Sequence, residues 1–141
     1  MEVPRRWNPA TVAPPVGRYS HLVEVPADHR LVFVSGQVGN LPDGSLAGHD
    51  AASQTRQALA NIEALLAAAG ATPASLVRLQ TFLAGTDQLA GFREAFGAVY
   101  ARWFPDGAID FPGHSLLVVQ ALAAPEYRVE IEAWFAVPAA S

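Results

Sequence analysis

Cysteine is absent from the 141 residues, which excludes disulfides, thiolate nucleophiles and thiolate metal sites. That absence fits a reducing compartment, and cytoplasm is the expected location. Basic residues are few. Nine Lys and Arg against thirteen Asp and Glu give a formal net charge of −4 and a pI near 5.4. The nine are scattered, whereas phosphate neutralisation needs a cluster, so no nucleic-acid partner is expected. No apolar run approaches the ~18 residues of a membrane helix. Met1 to Asn8 holds Arg5, Arg6 and Trp7 where a signal peptide needs an apolar centre. Neither a membrane partner nor export is therefore expected. His21, His29, His49 and His114 do not make a metal spacing such as HExxH, so no metal is predicted, and neither a P-loop nor a Ser elbow occurs.

What is present reads as one α+β domain over 1–141, long enough to bury roughly 70% of the surface of its unfolded chain. Residues 1–16, rich in Pro and Val and without a period, are expected to form an extended arm, and 138–141 a short tail. Ser20 to Val25 and Arg30 to Gln37 flank Pro26-Ala27-Asp28 and predict a hairpin. A Gly-, Asn- and Pro-containing loop follows from Val38 to Gly48. Asp50 is a candidate N-cap for a helix with the stripe Thr55, Leu59, Ile62, Leu66 and Ala69, stopped by Gly70 and Pro73. Leu76 to Leu83 predicts a strand with Val77, Leu79, Thr81 and Leu83 on one face. Thr86 or Asp87 is expected to cap a second helix, with the stripe Leu89, Phe92, Phe96, Val99, Tyr100 and Trp103, ended by Pro105-Asp106-Gly107.

The last quarter carries the most suggestive side chains. Ser115 to Leu122 is apolar on both sides and predicts a central strand covered on both faces. It is expected to pair, around a Pro turn, with a strand in which Val129, Ile131, Ala133 and Phe135 alternate with Glu130, Glu132 and Trp134. The order β-β-α-β-α-β-β lets two helices cover only one face of the sheet. The other face would then leave apolar residues in water, which predicts self-association through it.

Several weak motifs stand in register from about Val12 to Val137: Gly17-Arg18-Tyr19-Ser20, Phe33-Val34-Ser35-Gly36-Gln37, Gln54-Thr55-Arg56-Gln57, Thr81-Phe82-Leu83 and Val129-Glu130-Ile131-Glu132-Ala133. Together they resemble the Rid family of reactive intermediate deaminases, also called YjgF or L-PSP endoribonucleases. The resemblance implies a chorismate-mutase-like fold and a homotrimer with a central barrel and ligand pockets at subunit interfaces. It implies hydrolysis of small enamines and imines, such as 2-aminoacrylate, without a cofactor. By the same resemblance Glu130 holds the attacking water, Tyr19 is the aromatic wall, and Ser35, Gly36 and Leu116 line the pocket.

One departure bears on the chemistry. Where the family's Pro-Ala-Arg-Ser motif supplies an Arg for the substrate carboxylate, this chain has His114, in Pro112-Gly113-His114-Ser115. A guanidinium is permanently charged and binds a carboxylate through two parallel hydrogen bonds; an imidazole offers one directed contact. Arg18 and Arg128 are the candidates to replace it. Gly97 stands where many members carry Asn. The leading expectation is a small-molecule hydrolase with Glu130 and His114 as catalytic residues, not optimised for 2-aminoacrylate. A trimeric binding or protective protein without deaminase activity, and an endoribonuclease, are the alternatives.

Overall fold

The computed structural model describes residues 2–105 and 110–139. Six strands and two helices run in the order β1 (Arg5–Trp7), β2 (Leu22–Glu24), β3 (His29–Gln37), α1 (Ala51–Ala68), β4 (Leu76–Ala84), α2 (Leu89–Trp103), β5 (Gly113–Val119) and β6 (Val129–Pro138). The main sheet is mixed, ordered β3-β6-β4-β5, with β4 and β5 parallel and the other neighbours antiparallel. Both helices pack on one face, where Leu59, Ile62 and Leu66 of α1 and Phe92, Phe96 and Tyr100 of α2 meet Leu79, Leu83, Val129, Ile131 and Phe135. The α+β class and the single-sided helical layer are as the sequence predicts.

Helix α1 follows from its local chemistry. The Asp50 side chain accepts from the Ser53 N–H at 2.9 Å and caps the first turn. Gly70, at φ 76°, takes the left-handed turn after the last residues. Helix α2 differs from expectation: neither Thr86 nor Asp87 caps it, and the chain enters through a 3₁₀ turn over Thr86–Gln88 with no side-chain cap. Asp106 and Gly107, expected at its end, lie outside the described residues.

Strand pairing corrects four further expectations. The hairpin between the second and third strands does not form. The nine residues of β3 find a longer antiparallel partner in β6, from His29 opposite Pro138 to Gln37 opposite Ile131, whereas β2 has only three residues before Pro26. The expected arm supplies β1 instead, which pairs with β2 and is fastened by Arg5 to Glu24 at 2.6 Å. Arg6 ties it to the main body through the carbonyls of Leu76 at 2.7 Å and Ala74 at 3.0 Å. Pro138 belongs to β6 rather than to a tail, and Ala139 N–H donates to Asp28 O.

The fourth correction concerns β5, which is an edge strand and does not pair with β6; β4 lies between them. Leu116, Leu117 and Val118 are therefore 37%, 38% and 43% exposed, although their composition is that of a covered strand. On β4, Leu76 rather than Val77 is fully buried, because the register with β6 shifts between Leu76 and Arg78. The helix-free face is mixed. Leu31 and Phe33 are more than half exposed there, beside Glu130, Glu132 and a Trp134 ring that meets Phe33 edge-on and carries the Arg78 guanidinium at 4.9 Å.

Candidate functional site

The predicted residues gather at two corners, on opposite faces of the sheet. The first forms where β5 begins. His114 stands opposite Leu79, so its ring points to the helical side, next to Thr81 on β4. There it stacks on Phe96 of α2, with centroids 4.9 Å apart and planes 12° from parallel, and Thr81 Oγ1 holds its Nε2 at 2.9 Å. Burial, with the charge of Arg78 adding to it, pushes the imidazole pKa down to about 4. His114 is consequently neutral at pH 7 and offers a hydrogen bond, not a charge.

The 17–20 segment reaches this corner because Ser20 N–H donates to Pro112 O at 3.2 Å, just before β5. Tyr19 stands beside His114, its ring edge-on to His21 and its hydroxyl accepting from Val16 N–H at 3.3 Å. An open cleft of about 550 Å³ lies between this segment, α2 and β5, lined by Arg18, Tyr19, Phe92, Phe96, His114 and Leu116 among others. Tyr19 and His114 also border a smaller cleft of about 350 Å³ that includes Arg78 and Ser115. A cleft of the larger size, with apolar walls and few polar groups, suits a small organic ligand.

The second corner is built by β3 and β6. The register between them shifts between Val34 and Gln37, and Ser35 and Gly36 occupy the irregularity. The Glu130 side chain fills the space above Gly36: a β-carbon there would stand 2.8 Å from Glu130 Cδ and would displace the carboxylate. Glu130 pairs with Phe82, three residues along β4 from Leu79, so its side chain takes the face opposite to that of His114. Among the described residues the Glu130 carboxylate makes no hydrogen bond or ion pair. Glu132 lies two residues on, opposite Gln80.

One copy of the chain thus brings Arg18, Tyr19, His114 and Leu116 together, and separately Ser35, Gly36 and Glu130. Arg128 joins neither group: its guanidinium donates to Pro125 O at 3.2 Å. Three contributors were missed by sequence reasoning. Thr81 and Phe96 read as ordinary stripe residues, with no signal of their contact with His114. Gln54 did carry one, an amide on an apolar helix face. Fully buried, it donates to Gly48 O and Glu126 O and accepts from Arg128 N–H at 2.7 Å, fixing the start of β6 two residues before Glu130. No group of three or more His, Asp and Glu suited to a metal ion occurs among the described residues.

The chain is similar to several known proteins. A family model described as Endoribonuclease L-PSP matches residues 10–137. The human 2-iminobutanoate/2-iminopropanoate deaminase is 32% identical over 119 residues, 84% of this chain and 79% of that protein. The Salmonella typhimurium protein of the same name is 29% identical over 103 residues, 73% of this chain and 77% of that one. Among solved structures, YyfB of Yersinia pestis, a protein of the conserved Rid family, superposes with a TM-score of 0.81 at 39% identity, covering 96% of this chain and 100% of that one.

Proposed function

The chain belongs to the Rid (YjgF, endoribonuclease L-PSP) family, and from that premise we propose that it hydrolyses small imines and enamines to carbonyl compounds and ammonia in a pocket completed between copies of the chain. The observation that carries the reading is the division of the polar residues: His114 and Glu130 cannot meet one substrate across their own sheet. A second copy that brings its Glu130 face to the β5 edge would join them. The exposed Leu31, Phe33 and Leu116 to Val118 support such an association, and a homotrimer is the expected assembly.

In this pocket a water held by the Glu130 carboxylate attacks the imine carbon. Glu130 takes the water's proton as the C–O bond forms and returns it to the nitrogen. Glu130 then carries the carbinolamine's hydroxyl proton to the amine, which leaves as ammonia while the carbonyl forms, so atoms and protons balance. With a pKa near 4, His114 positions the substrate through its Nδ1, unengaged among the described residues, rather than shuttling protons at neutral pH. Tyr19 and Leu116 contribute walls, and Ser35 and Gly36 border the carboxylate.

The test is ammonia release from imines generated in place by an amino-acid oxidase or a dehydratase. Acceleration above the uncatalysed rate is expected, with 2-aminoacrylate turned over at least ~10-fold more slowly than by a relative with Arg at the position of His114. A stable assembly that accelerates no imine would leave a binding protein in place of an enzyme.

A further inference from the structure

Because the Glu130 carboxylate makes no bond among the described residues, its place over Gly36 is set by where the backbones of β6 and β3 lie. The ladder between those strands does not settle this alone, since its register is interrupted between Val34 and Gln37, at this corner. A row of amides on α1 holds the strands on either side. Gln54, fully buried, accepts from the Arg128 N–H at 2.7 Å, and Ala84 N–H donates to Arg128 O at 2.9 Å, so the residue before β6 is clamped from both sides. About two turns along the helix, Asn61 Nδ2 donates to Asn40 O at 2.9 Å and to Val38 O at 3.3 Å, just past the end of β3. Gln57 Nε2 donates to Asn61 Oδ1 at 2.9 Å and orients that amide. Between these contacts the chain leaving β3 lies against the helix at Gly39, where a β-carbon would stand 2.6 Å from Gln54 Cα.

One helix therefore sets both strands that meet at the open corner. An apolar side chain at 54 or 61 would fill the space but leave these backbone groups unpaired and free to shift. We propose that Gln54 and Asn61 are positioning residues for the Glu130 carboxylate, placing it through the backbones of β6 and β3 rather than by touching it. The inference rests on the proposed hydrolysis, in which Glu130 holds the water, and it makes a helix face that meets no substrate a determinant of rate and not of binding.

The experiment is steady-state ammonia release by the full chain carrying Gln54→Met or Asn61→Ala, beside Arg102→Gln, which breaks the ion pair from α2 to Glu63 of α1 and leaves the amide row alone. Gln54→Met should lower kcat ~10-fold or more and Asn61→Ala ~3-fold or more, each with KM within about twofold, because misplacing a reacting group slows the chemical step. Arg102→Gln should change neither constant. In a Glu130→Gln background the two amide substitutions should cost less than about twofold, since no carboxylate remains to be placed; damage to folding or assembly would lower the rate by the same factor in both backgrounds. Should Gln54→Met fail to assemble, the partly buried Asn61 decides alone. The proposal is overturned if the assembled variants keep kcat, if KM rises instead, or if the losses are the same with and without the Glu130 carboxylate. Crystal structures of the variants separate this failure from that of the reaction. A protein that hydrolyses no imine, yet whose Glu130 carboxylate moves by ~1 Å in Asn61→Ala, would sink the hydrolysis and leave the positioning standing. Imine hydrolysis with kcat unchanged in both variants would do the reverse.

Discussion

The His114 corner and the Glu130 corner are built on opposite principles. At the first, a titratable ring is packed against Phe96, bonded to Thr81 through Nε2 and stripped of its charge by burial, so it is held in place within the chain. At the second, a carboxylate is held by the space above a glycine and bonded to nothing among the described residues. The closed corner can shape and orient a ligand. The open one retains lone pairs for a molecule or a partner still to come, which is what a water-activating group needs. On the function proposed above, neither corner is a whole site, and association of copies would join the two sheet faces in one pocket.

The largest expected effect lies at the open corner. Glu130→Gln keeps the shape but donates where acceptors are needed, and should lower imine turnover by ~10²-fold or more while the assembly stays intact. Glu132→Gln, on the same face, should leave the rate nearly unchanged. Equal losses in both variants, read by ammonia release, would erase the distinction between a water-holding carboxylate and an ordinary charged strand face.

The closed corner should reveal itself in stability. Because the folded pKa of His114 lies near 4, below its ordinary 6.5, the unfolded chain takes up a proton first as pH falls. Stability should therefore be full above pH 6.5 and decline by about 2–3 kcal/mol on the way to pH 4, with no further loss from this group below that. Urea unfolding at several pH values checks this, and His114→Gln should lack that component.

A smaller effect sharpens the open corner. Gly36→Ala places a methyl in the carboxylate's space, but the atoms it meets are the end of a flexible side chain, so the fold should survive. Turnover should fall ~10-fold, because the carboxylate is moved rather than removed. A thermal melt beside the rate assay separates displacement from unfolding.

These corners also show what could be read in the sequence. The stripe of α1 and its Asp50 cap are local, and so is the alternation of β6; both were legible because periodicity and capping need only near neighbours. The β1–β2 ribbon and the edge position of β5 were not, since three-residue pairing and strand order are decided by distant partners. His114, Tyr19 and Glu130 could be singled out through the family resemblance. That His114 and Glu130 take opposite faces depends on the registers of three strands, where one residue of slip reverses the answer. The Arg18 guanidinium lies over α2 at Gly97, a matter of empty volume that no local pattern encodes.

The most direct test of the shared pocket is complementation. His114→Phe, which keeps the stacking but loses the hydrogen bond, and Glu130→Gln are each expected to be weakly active alone. Mixed in equal amounts and allowed to reassemble, they should form intact pockets wherever His114 of one copy meets Glu130 of a neighbour, about one quarter of the pockets in a ring of like interfaces. The account predicts recovery to about a quarter of native turnover, well above the average of the two variants measured separately. A rate no higher than that average, in assemblies shown to be mixed, would contradict it.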